Sequence, residues 1–144
     1  MQHTAEILDN IQEKIKENEG ELIKGYECSF PVFKGIYQQE VRMTDRTEKP
    51  VYLMLCTIVD GKGKQLRSDE MLEELSDKLK KSISKSIRKS DVFTQYGKAQ
   101  YLVLLANYDG DNCEQVQKRI NQHFTADCRN SKVKCHVNSV KCEI

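Results

Sequence analysis

The residue types that most often do chemistry are thinly spread through this chain, and where they gather they lack a common geometry. Six cysteines, Cys28, Cys56, Cys113, Cys128, Cys135 and Cys142, and three histidines are the candidate metal ligands. No CxxC pair occurs, and the nearest cluster, His123, Cys128, Cys135 and His136, lacks the spacing that closes four ligands onto one ion, so no metal is expected. The cysteines are also too scattered for a disulfide framework; several fall at core-type positions of expected strands and helices and read as reduced, buried thiols. A basic run, Lys78, Lys80, Lys81, Lys85 and Arg88, would suit nucleic acid, but no aromatic platform accompanies it and it reads as a solvated helix face. The stretch DVFTQYGKAQYLVLL, Asp91 to Leu105, reads as two apolar strands joined at a glycine. Its tip carries Lys98, Ala99 and Gln100 in place of any acid, nucleophile or metal ligand.

The elements that must position these residues follow from the hydrophobic pattern. The chain has 144 residues, enough for one domain that buries about two thirds of its unfolded surface. Twenty-three basic against twenty-two acidic residues give a net charge of +1, with no global pull toward nucleic acid or anionic lipid. No apolar run reaches the length of a membrane span, and MQHTAEILDNIQEK is polar and acidic where a signal peptide is basic and then apolar, so a soluble, cytoplasmic protein is expected. Leu8, Ile11, Ile15, Asn18 and Leu22 follow a 3-4-3-4 spacing interrupted by Gly20 and Gly25. This is either a short coiled-coil seam or an amphipathic helix lying on its own domain. Residues 1–25 are therefore expected to be an N-terminal helix and linker, and 26–144 the globular domain.

Within that domain Ser29 is placed to cap a helix, FPVFKGIYQQEVRM, with Pro31 in its first turn and Phe30, Phe33, Tyr37 and Val41 on one face. After Pro50, VYLMLCTIV has the continuous apolarity of a strand covered on both sides, the centre of a sheet. A third helix, capped at Ser68, carries Leu72, Leu75, Leu79 and Ile83 on one stripe. The hairpin follows, with Gly97 expected at positive φ in a type II′ turn and Gln95 opposite Gln100. A fourth helix over 111–124 buries Val116, Ile120 and Phe124. The final strand alternates through Val133, Cys135 and Val137 and then changes phase to Val140, Cys142 and Ile144, which predicts a bulge near Asn138. The order is that of an α+β domain with a single, largely antiparallel central sheet flanked by helices.

RKSDVFTQYGKAQYLVLL followed by NYDGDNCEQVQKRINQHF resembles the signature hairpin of GGDEF domains, the diguanylate cyclases. The resemblance covers about residues 50–144 and weakens before Pro50, where SFPVFKGIYQQEVR replaces the family's usual opening motif. The five signature positions are Gly97, Lys98, Ala99, Gln100 and Tyr101. What the resemblance implies for catalysis is a loss. Joining two GTP molecules requires Mg²⁺ held by carboxylates. The family's strand-end acids align with Thr57 and Val59, and its turn acids with Ala99 and Gln100. Asp60, one residue past the strand-end pair, points elsewhere by strand alternation. Lys98 stands where a second glycine lets the nucleotide approach, and the base-binding loop is shortened to DGKGKQLRSDE. In that loop Asp69 is either the guanine-binding acid or a helix N-terminal charge.

One family element is complete. Arg88-Lys89-Ser90-Asp91, with five residues between it and Gly97, matches the RxxD of the inhibitory site, where the resemblance implies that Arg88 and Asp91 grip cyclic di-GMP. A guanidinium forks onto guanine or phosphate and a carboxylate accepts from guanine N1 and N2. The alternative is a solvated helix end and strand start. The reading of the whole sequence is a catalytically inactive GGDEF-like signalling domain with no catalytic residues, no metal and no cofactor. It would act as an interaction or relay module for a protein partner or an upstream sensory or receiver domain, with weak homodimerisation through the N-terminal helix. The runner-up is a cyclic di-GMP receptor, and an active cyclase comes third.

Overall fold

The computed structural model describes residues 2–16, 25–66, 69–106, 108–128 and 130–140. In chain order these form α1 (Gln2–Lys16), β1 (Tyr26–Glu27), α2 (Phe30–Thr47), β2 (Val51–Asp60), α3 (Asp69–Ser86), β3 (Val92–Gly97), β4 (Gln100–Leu105), α4 (Gly110–Asp127) and β5 (Ser131–Val140). The five strands make one sheet in the order β1-β3-β4-β2-β5. All pairings are antiparallel except that of β1 with β3. This is the α+β architecture expected, with one strand, β1, that the sequence did not announce.

The unbroken apolar run of β2 has its cause in this order: the strand is flanked by β4 and β5 and covered on both faces. On one face Met54, Cys56 and Ile58 of β2 join Tyr101, Val103 and Leu105 of β4 against the α3 and α4 stripes, Leu75, Leu79 and Ile83 with Val116, Ile120 and Phe124. On the other, Val51 and Leu104 pack under Phe33 of α2. Burying a side chain such as Ile120 or Phe124 in full is worth about 1.5–3 kcal/mol.

Helix ends follow local chemistry. Ser29 is the N-cap residue of α2 in extended backbone, with Pro31 in the first turn, although its side chain makes no capping bond. The helix runs past the expected 43 to Thr47 and stops where Glu48 turns left-handed, φ 59°, and donates its N–H to Thr44 O. Asp109 caps α4 by accepting from Asn112 N at 2.8 Å. The expected cap of α3, Ser68, lies outside the described residues.

Gly25 has φ +38°, and a Cβ there would stand 2.5 Å from Ile87 Cδ1. Glycine is required where the chain enters β1 beneath the end of α3. Further upstream the described side chains of α1 are all exposed, including Leu8, Ile11 and Ile15 at 56%, 47% and 71%. Of the expected seam, Asn18 and Leu22 lie outside the described residues. Among the described residues no helix is long and apolar enough to cross a membrane.

The expected bulge near Asn138 is not there. β5 pairs residue for residue with β2, from Ser131↔Asp60 to Val140↔Val51. The change of phase is a change of face: Val133, Cys135 and Val137 pack toward α3 and α4, whereas Val140 packs with Phe33 and Val51. Cys142 and Ile144 lie outside the described residues.

Candidate functional site

β4 registers on β2 through Leu55↔Leu102, Cys56↔Tyr101 and Thr57↔Gln100, which carries the hairpin tip to the end of β2. Ala99 O accepts from Ile58 N at 2.9 Å, and Gln100 Nε2 donates to Thr57 Oγ1 at 3.3 Å. Two of the signature-related positions thus stand directly opposite and touch. They form one side of an open cleft of about 510 Å³ whose wall includes Val59, Gln65, Lys98 and Ala99. Tyr101 points away into the core, 3% exposed, where burial pushes its phenol up and its hydroxyl lies 3.4 Å from Ser76 Oγ.

The hairpin itself departs from the expected turn. Gln95 pairs with Tyr101 and Gly97 with Gln100, so the extra residue on β3 is Tyr96 and the turn residues are Lys98 and Ala99. Gly97 is not at positive φ. Tyr96, 60% exposed, stands edge-on to Phe30 with ring centroids 5.8 Å apart. This bulge accounts for the one-residue offset.

The donor set of the cleft does not suit the divalent ion that the resemblance implies. Hard cations take charged oxygen ligands. The Thr57 hydroxyl and the Gln100 amide are neutral and hydrogen-bonded to each other, and no described side chain lining the cleft is a carboxylate. Asp60 is committed to its own loop: its Oδ1 accepts from Lys62 N and Lys64 N, both at 2.8 Å, and these N–H groups, Lys64 first, hold its pKa below the ordinary carboxylate value. Asp69 opens α3, but its side chain lies outside the described residues. No group of three His, Cys, Asp or Glu residues able to hold a metal occurs among the described residues.

Arg88 and Asp91 sit at the far end of β3 from the cleft, and their side chains part company. Asp91 is 1% exposed; its Oδ2 accepts from Arg88 N at 2.8 Å and from the Tyr108 hydroxyl, while Oδ1 is buried with no hydrogen-bond partner among the described residues. Burial pushes its carboxyl up, opposed by the Tyr108 and Arg88 hydrogen bonds and the Arg88 charge. The solvated strand start that the sequence left as an alternative is therefore not what forms. The Arg88 guanidinium lies 4.0 Å from the centroid of the Tyr108 ring, in cation–π contact. It lines a second cleft of about 530 Å³ with Lys85, Lys89, Arg119 and His123. Arg119 Nη2 donates to Ser86 O at 2.9 Å, which seats it beside the end of α3. Sequence reading missed Tyr108 and Arg119, since neither spacing nor composition marks a tyrosine after a strand or one arginine on a polar helix face as its partner.

No family model and no curated protein sequence matches the chain. Solved structures do. A diguanylate cyclase protein from Thermotoga maritima superposes with TM-score 0.66 at 13% identity, over 82% of this chain and 83% of that one. Diguanylate cyclase SiaD of Pseudomonas aeruginosa, solved with its activator SiaC, gives 0.69 at 11% identity over 99% of this chain and 61% of that one. The active GGEEF domain of a Vibrio cholerae diguanylate cyclase gives 0.64 at 13% identity over 80% and 78%. The order of strands and helices, the hairpin laid against the end of β2 and these superpositions establish that the chain has the fold of the GGDEF domains of diguanylate cyclases.

Proposed function

We propose that this chain is a catalytically silent GGDEF-like signalling module that works by contact with a protein partner or an adjoining sensory or receiver domain. The observation that carries the reading is the Thr57–Gln100 hydrogen bond. It joins two of the four aligned acid positions as a neutral pair; the resemblance calls for metal-holding carboxylates at Thr57 and Ala99, and neither these nor Val59 and Gln100 supply one. A contact role is supported by SiaD, a neighbour in fold that was solved bound to its protein activator. Incubating the purified chain with GTP and Mg²⁺ or Mn²⁺ tests catalytic silence: no cyclic di-GMP should form above a no-protein control. Product above that control overturns the reading.

A second reading, a cyclic di-GMP receptor, is favoured by the basic cleft at Arg88 and Arg119. In it Arg88 takes a phosphate or the guanine edge. Asp91 contributes from inside by fixing the Arg88 backbone and the Tyr108 ring on which the guanidinium rests. Arg88→Ala removes a charge-assisted contact of about 1.5–3 kcal/mol, a roughly ten- to hundredfold loss of affinity by calorimetry. No heat with the wild-type chain, or equal binding by the variant, leaves the contact role alone.

A further inference from the structure

Cys56 and Cys135 stand directly opposite each other on β2 and β5, with their sulfur atoms 3.7 Å apart and both thiols free. Opposed residues of an antiparallel pair have Cα atoms about 4.5–5.5 Å apart, inside the range of about 4.4–6.8 Å that a disulfide bridges. Side-chain rotation is enough to bring the sulfurs together. We propose that Cys56 and Cys135 form a reversible thiol-oxidation site, which a hydroperoxide converts into a cross-strand disulfide tying β2 to the edge strand β5.

The two thiols are unequal in a way that orders the steps. Cys56 is fully buried in the core, whereas Cys135 is partly exposed, so a reagent from solvent meets Cys135 first. The hydrogen bond between them lowers the Cys135 pKa, while that bond and burial raise that of Cys56. Burial raises Cys28 as well, and pushes Cys113 up to about 11. Exposure therefore marks Cys135 as the attacking thiol.

Its sulfur attacks the hydroperoxide: an S–O bond forms, the O–O bond breaks, and an alcohol or water leaves with a proton. The product is the Cys135 sulfenic acid. The Cys56 thiol then attacks that sulfur, the S–S bond forms, the S–O bond breaks, and water leaves with the Cys56 proton. In sum, two thiols and one hydroperoxide give one disulfide, one alcohol or water, and one water. Cys56 lies beside Thr57 and opposite Tyr101, so the new bond would act on the same part of β2 that carries the cleft.

The full chain treated with hydrogen peroxide, alkylated and digested should yield one intramolecular cross-link joining the Cys56 and Cys135 peptides. It should show the mass loss of two hydrogens and be reversed by dithiothreitol. Cys56→Ser should stop at a Cys135 sulfenic acid that dimedone captures, and Cys135→Ser should slow peroxide consumption by roughly tenfold or more. Unchanged free thiols in the wild-type chain under peroxide overturn the proposal. So does a cross-link that joins any other pair, Cys142 included.

Discussion

Replacing Tyr108 with phenylalanine removes one atom, the hydroxyl that donates to Asp91 Oδ2, and leaves the ring in place under the Arg88 guanidinium. The carboxylate it deserts is 1% exposed, and one of its oxygens has no partner among the described residues. Water has little access to make good the loss. A hydrogen bond to a charged group contributes about 1.5–3 kcal/mol. At roughly 4 °C per kcal/mol for a domain of this size, the melting temperature should fall by roughly 6–12 °C. The pH dependence carries a definite sign. Burial raises the Asp91 pKa above its unfolded value, so its contribution to stability is fully present below about pH 4 and is lost as pH rises through the folded value. Tyr108 opposes that rise, so Tyr108→Phe lifts the folded pKa further and extends the window upward. Urea denaturation across pH should show a deficit that grows as pH rises, since a protonated carboxyl has less need of the donor. A deficit below about 0.5 kcal/mol, or one that shrinks as pH rises, would refute the role given to the Tyr108–Asp91 hydrogen bond.

Thr57→Asp combined with Gln100→Glu sets two like charges face to face and should lower stability by about 1 kcal/mol, recovered in millimolar Mn²⁺ and seen by thermal melts with and without the ion. The same variant should still make no cyclic di-GMP, because Lys98 remains in the cleft. Gly25→Ala should cost about 1–3 kcal/mol by chemical denaturation, from left-handed backbone and collision with the buried Ile87. Ile11→Glu, on the exposed α1, should leave stability within about 0.5 kcal/mol and abolish self-association in sedimentation at high concentration.

The parts of the fold set by long hydrophobic periodicity were legible in the sequence. The stripes of α3 and α4 and the apolar run of β2 sit where their spacing places them. Two-residue β1 was not, since a strand so short has no alternation to read and exists through its pairing with β3. The phase change in β5 was visible, but its cause was not: a bulge and a change of cover leave the same mark on the sequence, and only α2 lying over Val51 and Val140 distinguishes them. At the hairpin, the glycine suggested a turn type that the bulge at Tyr96 displaces by one residue. Opposition of Thr57 and Gln100 depended on that register and became definite with it. Arg88 and Asp91 were legible as a pair by spacing, but the side-chain directions that separate them come from Tyr108, which arrives from beyond β4.

β5 ends the sheet, and among the described residues no further strand pairs with its outer edge, although Asn121 Oδ1 of α4 accepts from Val133 N at 2.9 Å. Such an edge is a template on which another extended chain can add, and fibrils begin that way. Lys132 and Lys134, both exposed on this strand, confront an approaching copy with like charge. Lys132 and Lys134, remote from either cleft, therefore oppose the pairing of this edge with a second copy. Acetylating them, or raising the salt, would take away the barrier without touching the core.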